Sequence, residues 1–170
     1  RADPTTFLSL PFVQPSRKGK CVSLDECIKS YFSPEHLRAK NQYECSSCLS
    51  RTARKMQDAS KQLFLDNTEL SDFALPNVFF VSLNRYETSL DGSINRRINR
   101  KIDVPLEYDF GQHCVIQGTQ LFRLYAVVCH SAGFGGSGHY YAYCQPKSDM
   151  QWTNLDDQQP ITNSDFSDIC

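Results

Sequence analysis

The chain has 170 residues, 40% hydrophobic and 22% charged, with a net charge of −1. That length supports one domain with a proper core, and the near-neutral balance excludes the broad basic field of a nucleic-acid binder. No apolar run reaches membrane length, and the opening RADPTTFLSLPF lacks the basic flank and long apolar centre of a secretion signal.

Taken in order, the first apolar stretch is Phe7 to Val13, FLSLPFV, which alternates as a strand does. Pro11 puts it at a sheet edge or ends it there. Gln14 to Lys20 is polar and basic and reads as a loop. Ser23-Leu24-Asp25-Glu26 is a capping-box signature, in which the serine hydroxyl and Glu26 each satisfy an orphan N–H. Leu24, Cys27, Ile28 and Tyr31 follow at helical spacing, so a helix is expected here, stopping near Phe32-Ser33 ahead of Pro34. Cys21 and Cys27 read as packed thiols.

Cys45 and Cys48 form a CxxC, spaced as half of a tetrahedral zinc site. Redox chemistry is a second reading of that spacing, but no thioredoxin-like βαβ pattern surrounds it. Two reduced cysteines in a surface turn is the third. The chain's eight cysteines are otherwise irregularly spaced, which fits reduced thiols and one metal knuckle better than a disulfide scaffold.

Asn77 to Tyr86, NVFFVSLNRY, is apolar almost throughout and is expected at the centre of a sheet. Ser89 to Arg100 reads as a mobile hairpin loop whose arginines face water or an acidic partner. Ile102 to Leu106 is a strand limited by Pro105. Gly111 to Gln120 is a polar connection. His113 and Cys114 lie in it side by side, but no helix start follows to activate the thiol.

The stretch richest in chemistry runs from Leu121 to Asp157. An apolar run to Cys129 and an alternating run from His139 to Cys144 read as neighbouring strands joined by the glycine-rich loop Ser131–Gly138. Asp156-Asp157 follows a third short apolar stretch. A histidine exchanges protons near neutral pH, and a carboxylate on its far ring nitrogen fixes its tautomer. Adjacent strands lie about 5 Å apart, so His139 and Asp156 can meet as a base and its orienting group. The alternative is a hairpin with a solvated acidic turn.

HSAGFGGSGHYYAY followed by WTNLDD resembles the histidine box of the ubiquitin-specific proteases, a papain-like family of deubiquitinating thiol enzymes. FLSLP, SLDECIKSYF, LPNVFFVSLNRY and KIDVP resemble further segments of that family. The resemblance implies an α+β fold, mainly antiparallel sheet with one capped helix, with residues 1–60 a fingers-type segment and 61–170 a palm-type sheet. It implies His139 as catalytic base, Asp156 as its orienting residue and Asp157 in reserve. His130, Gly133, Gly138 and Tyr140 would line the channel for the substrate's tail. Cys45 and Cys48 would be half of a structural zinc site whose other half lies upstream.

The family's nucleophile sits in a box resembling GNTCYxNxxLQ, which this sequence does not contain. The resemblance therefore implies the C-terminal half of a deubiquitinase catalytic domain, inactive alone, lacking the N-terminal helical thumb. Its expected partners are ubiquitin or a ubiquitin-like protein and the domain's N-terminal half, with neither nucleic acid nor membrane. An intracellular setting, cytoplasm or nucleus, goes with that. The alternative is a catalytically inactive ubiquitin-binding or scaffold module.

Overall fold

The computed structural model describes residues 7–13, 21–45, 56–67, 75–88, 94–132, 138–148 and 150–169. Strand β1 (Phe7–Pro11) ends on its proline, and its alternation is real: Leu8 and Leu10 point inward, the residues between them outward. Strand β2 (Val22–Ser23) runs directly into helix α1 (Leu24–Phe32). The Ser23 hydroxyl accepts from the Glu26 N–H at 3.1 Å, and Glu26 Oε2 accepts from the Ser23 N–H at 3.1 Å. Ser33 leaves the helix in extended geometry, as a residue before proline must.

The buried face of α1, Cys27, Ile28 and Phe32, meets Leu8 and Leu10 of β1 to begin the core. Each such side chain contributes about 1.5–3 kcal/mol by leaving water. Cys27 is packed as expected. Cys21 is exposed instead, because it precedes β2 and shares no face with the helix.

Residues 35–44 and 56–61 supply two nested antiparallel pairs. Strand β3 (Glu35–Leu37) pairs with β6 (Ala59–Lys61), and inside them β4 (Tyr43–Glu44) pairs with β5 (Met56–Gln57). Cys45 directly follows β4, at the inner end of this nest; Cys48 lies outside the described residues.

Strand β7 (Phe80–Asn84) departs from expectation. Among the described residues it has one neighbour, β1, and the pair is parallel, Phe7 beside Phe80 through Pro11 beside Asn84. Phe80 is 62% exposed. Apolarity on both faces says that both are suited to cover; it does not say that two strands flank the run. Strands β8 (Tyr86–Thr88) and β9 (Ile94–Arg97) form an antiparallel pair, so Ile94–Arg97, within the stretch that reads as loop, is strand. Strand β10 (Ile102–Asp103) lies parallel to β2 and stops before Pro105.

Strand β11 (Glu107–Asp109) pairs with β12 (Leu121–Arg123), and a 3-10 turn at Phe110–His113 lies between them. Here the polar connection turns inward. Phe110 and Cys114 enter the core, and the His113 ring stacks on Phe32 at 4.5 Å. His113 Nε2 meets the Tyr108 hydroxyl at 3.0 Å, which supplies the partner a buried imidazole needs.

Four consecutive strands complete the fold: β13 (Ala126–Ala132), β14 (Gly138–Cys144), β15 (Trp152–Leu155) and β16 (Thr162–Ser164), an antiparallel meander. The short helix α2 (Phe166–Ile169) closes it, with Phe166 against the buried Trp152 at 5.4 Å.

Candidate active site

Strands β13 and β14 pair from Ala126↔Cys144 to Ala132↔Gly138. Side chains alternate across a sheet, so His139 shares one face with Tyr141 and Tyr143. Strand β15 pairs Tyr143 with Asn154 and Ala142 with Leu155. The next residue in β15's alternation, Asp156, returns to the His139 face. The two meet there: His139 Nε2 lies 2.7 Å from Asp156 Oδ1, with the side chains 26% and 12% exposed. A sheet register thus builds the pair from residues seventeen positions apart.

Asp156 Oδ1 also accepts from the Gln158 N–H at 2.9 Å. That backbone bond first, and the bond to His139 second, hold its carboxyl below the ordinary carboxylate value, so it is charged at neutral pH. A charged carboxylate only accepts hydrogen bonds. Nε2 therefore carries the proton, and the lone pair is left on Nδ1. Nδ1 is the atom that can take a proton from a substrate or nucleophile. Asp157 Oδ1 is 3.5 Å from the same Nε2, with its side chain 84% exposed.

The Tyr141 ring lies nearly parallel to the imidazole, 6.4 Å away at 16°, and Ser131, opposite His139, sends its hydroxyl to the His139 carbonyl at 3.4 Å. Tyr141 carries no motif signal of its own, although its position two residues after His139 in an alternating strand puts it on the same face. Burial pushes the Cys114 thiol up, and it does the same to Cys129, whereas a nucleophilic cysteine is depressed.

His130 and Tyr140 face each other across the same two strands, their rings 4.4 Å apart, on the face opposite His139. Gly138 completes this group. A Cβ there would stand 1.9 Å from His130 Nε2, so the glycine is needed for close packing on that ring. On this outward face Val128, Tyr140, Ala142 and Leu155 line an open groove reaching Asp157. Gly133 lies outside the described residues. Cys45 belongs to the nested pairs and joins no cluster with metal-ligand spacing among the described residues; His139, Asp156 and Asp157 do form such a cluster. No helix in the described residues is long and apolar enough to cross a membrane.

Comparison with known proteins adds a family. The profile described as "UCH: Ubiquitin carboxyl-terminal hydrolase" matches residues 20–167. The chain is 28% identical over 146 residues to ubiquitin carboxyl-terminal hydrolase 12 of Saccharomyces cerevisiae, covering 84% of this chain and 10% of that protein. It is 26% identical over 165 residues to a probable ubiquitin carboxyl-terminal hydrolase 16 of Schizosaccharomyces pombe, covering 96% of this chain and 32% of that one. Among solved structures, a chain of the yeast SAGA DUBm with a mutant Sgf73 superposes with a TM-score of 0.74 at 29% identity. A chain of the SAGA DUB module Ubp8/Sgf11/Sus1/Sgf73 bound to monoubiquitin gives 0.73 at 28%. Both comparisons cover 98% of this chain and 33% of the solved one. The sequence thus spans about a third or less of the relatives it matches.

Proposed function

This chain belongs to the ubiquitin carboxyl-terminal hydrolase family, and on that premise we propose that it is the base-bearing part of a thiol-dependent deubiquitinase. Its substrate is the peptide or isopeptide bond after the C-terminal glycine of ubiquitin or a ubiquitin-like protein. The cysteine comes from a part of the catalytic domain outside this sequence. His139 Nδ1 takes the thiol proton as sulfur attacks the carbonyl carbon, then gives that proton to the departing amine. Water hydrolyses the resulting thioester with the same imidazole as base. Asp156 holds the ring in the Nε2–H tautomer and stabilises the imidazolium that forms between steps.

The observation that carries this reading is the 2.7 Å contact between His139 Nε2 and Asp156, made by a carboxylate that stays charged. Binding to monoubiquitin by a similar protein supports the substrate. Cys45 and Cys48 suit a structural zinc ion, which would tie the nested strands of residues 35–61 to a second pair of ligands elsewhere in the domain. His130, Gly138 and Tyr140 are assigned in this proposal to the channel for the substrate's tail, because the groove lined by Gly138 and Tyr140 is also lined by His139 at the sheet's edge, and an open groove admits a thin, extended tail.

The test is complementation. Mixed with the thiol-bearing part of its domain, the chain should cleave a fluorogenic ubiquitin substrate, and His139→Ala should lower kcat by about 10³-fold or more. Full activity in that variant ends the proposal. Ubiquitin binding that survives His139→Ala and Asp156→Asn, with no hydrolysis by the wild type, establishes the scaffold reading instead.

A further inference from the structure

Arg97 ends β9, and its guanidinium Nη2 donates to the carbonyl oxygen of His130 in β13. Strand β13 is an outer strand of the four-stranded sheet among the described residues. The carbonyls on a strand's open side have no ladder partner and need a donor from elsewhere. A guanidinium gives such an oxygen a charge-assisted bond, stronger than a neutral one. The location matters: His130 pairs with Tyr140, and the next rung is Ser131 with His139. The arginine therefore grips the sheet one rung from the base.

Arg97 is itself anchored. Arg85 Nη1 donates to the carbonyls of Ile98 and Arg100, at 3.3 and 2.6 Å, and the Ile98 N–H donates to the Arg85 carbonyl at 2.7 Å. The Arg85 guanidinium lies over the Phe12 ring at 4.9 Å, and Phe12 packs on the core. A continuous line of contacts thus runs from the core through Phe12, Arg85 and Arg97 to the His139 strands. The two guanidinia are close enough that Arg97, after burial, helps lower the Arg85 pKa.

We propose that Arg97 is a positioning residue for the hydrolytic reaction, holding the His130 carbonyl so that the open side of β13, and with it the His139 ring, keeps its place against Asp156. This rests on His139 acting as the base.

Two substitutions separate positioning from support. R97M keeps the aliphatic stem and removes every donor; R97K restores one. In the 170-residue chain, R97M should raise amide exchange at Ser131 and His139 about tenfold while Ile28 and Leu10 stay within about twofold. The His139 ring nitrogen signals should move from one dominant tautomer towards a mixture. With the thiol-bearing part present, kcat should fall about tenfold with KM nearly unchanged, the pattern of a misplaced catalytic group, and R97K should recover most of it. Unchanged ring signals and exchange at Ser131 and His139 in R97M overturn the inference. So does equal loosening of Ile28 and Leu10, or an R97K no better than R97M. The ring and exchange measurements need no turnover, so they decide the role of Arg97 even if hydrolysis is absent and the deubiquitinase reading fails.

Discussion

The helix-centred core and the four-stranded sheet are built on different terms. Around α1, Leu8, Leu10, Val22, Cys27, Ile28 and Cys114 are all at or below 1% exposure, and a capping box fixes the helix's start. In the sheet, Trp152 alone among the described residues is buried, at 4% exposure, while Val128 and Tyr140 stand 74% and 68% exposed. The first region is closed by its own side chains. The second is held chiefly by its backbone ladders, and leaves its proposed chemistry open on a face. Stability and reactivity are thereby assigned to different residues, with the Arg85–Arg97 line between them.

Breaking the core should have the largest effect on stability. Ile28→Ala is expected to lower unfolding free energy by about 2–5 kcal/mol, read as a lower urea midpoint. His139→Ala, which removes the proposed chemistry, should leave that midpoint nearly where it was. A smaller effect should come from acid. Burial holds the His113 pKa below its ordinary value, so the packed state is the neutral one. Its contribution is complete above about pH 6.5 and is lost as pH falls through the lowered native value. The wild-type midpoint should therefore drop on acidification through this range. His113→Phe, which keeps a ring on Phe32 and has no proton to take, should flatten that limb; an unchanged slope would exclude His113 as its source. Smallest is the cap: Ser23→Ala should lose about 1 kcal/mol, and helical circular dichroism near the melting point should report it.

Sequence was most informative where the interaction is local. The Ser23–Glu26 box spans one helical turn and is realised in both bonds. The His139 and Asp156 strands are consecutive in the meander, so alternation and short connections sufficed to bring them together. Legibility ended where partners are distant. Nothing within NVFFVSLNRY says that its neighbour is β1 or that the pair is parallel. His113 and Cys114 look like loop residues because their burial depends on Phe32 and Tyr108, contributed by other elements. Cys21 looked packed beside Cys27, yet only the helical cysteine faces inward. Arg97 sits in a stretch that reads as solvated charge, and its one telling contact lies 33 residues away.

The parallel pairs carry a consequence for how the chain reaches this state. Joining β1 to β7, or β2 to β10, closes a loop of about seventy to eighty residues, and the entropy of that closure comes before any reward from contacts. The β13–β14 hairpin closes over a short connection, on a scale of microseconds. The rung that carries His139 therefore meets a far smaller closure entropy than either parallel pair, and on refolding both parallel pairs are expected to form after it.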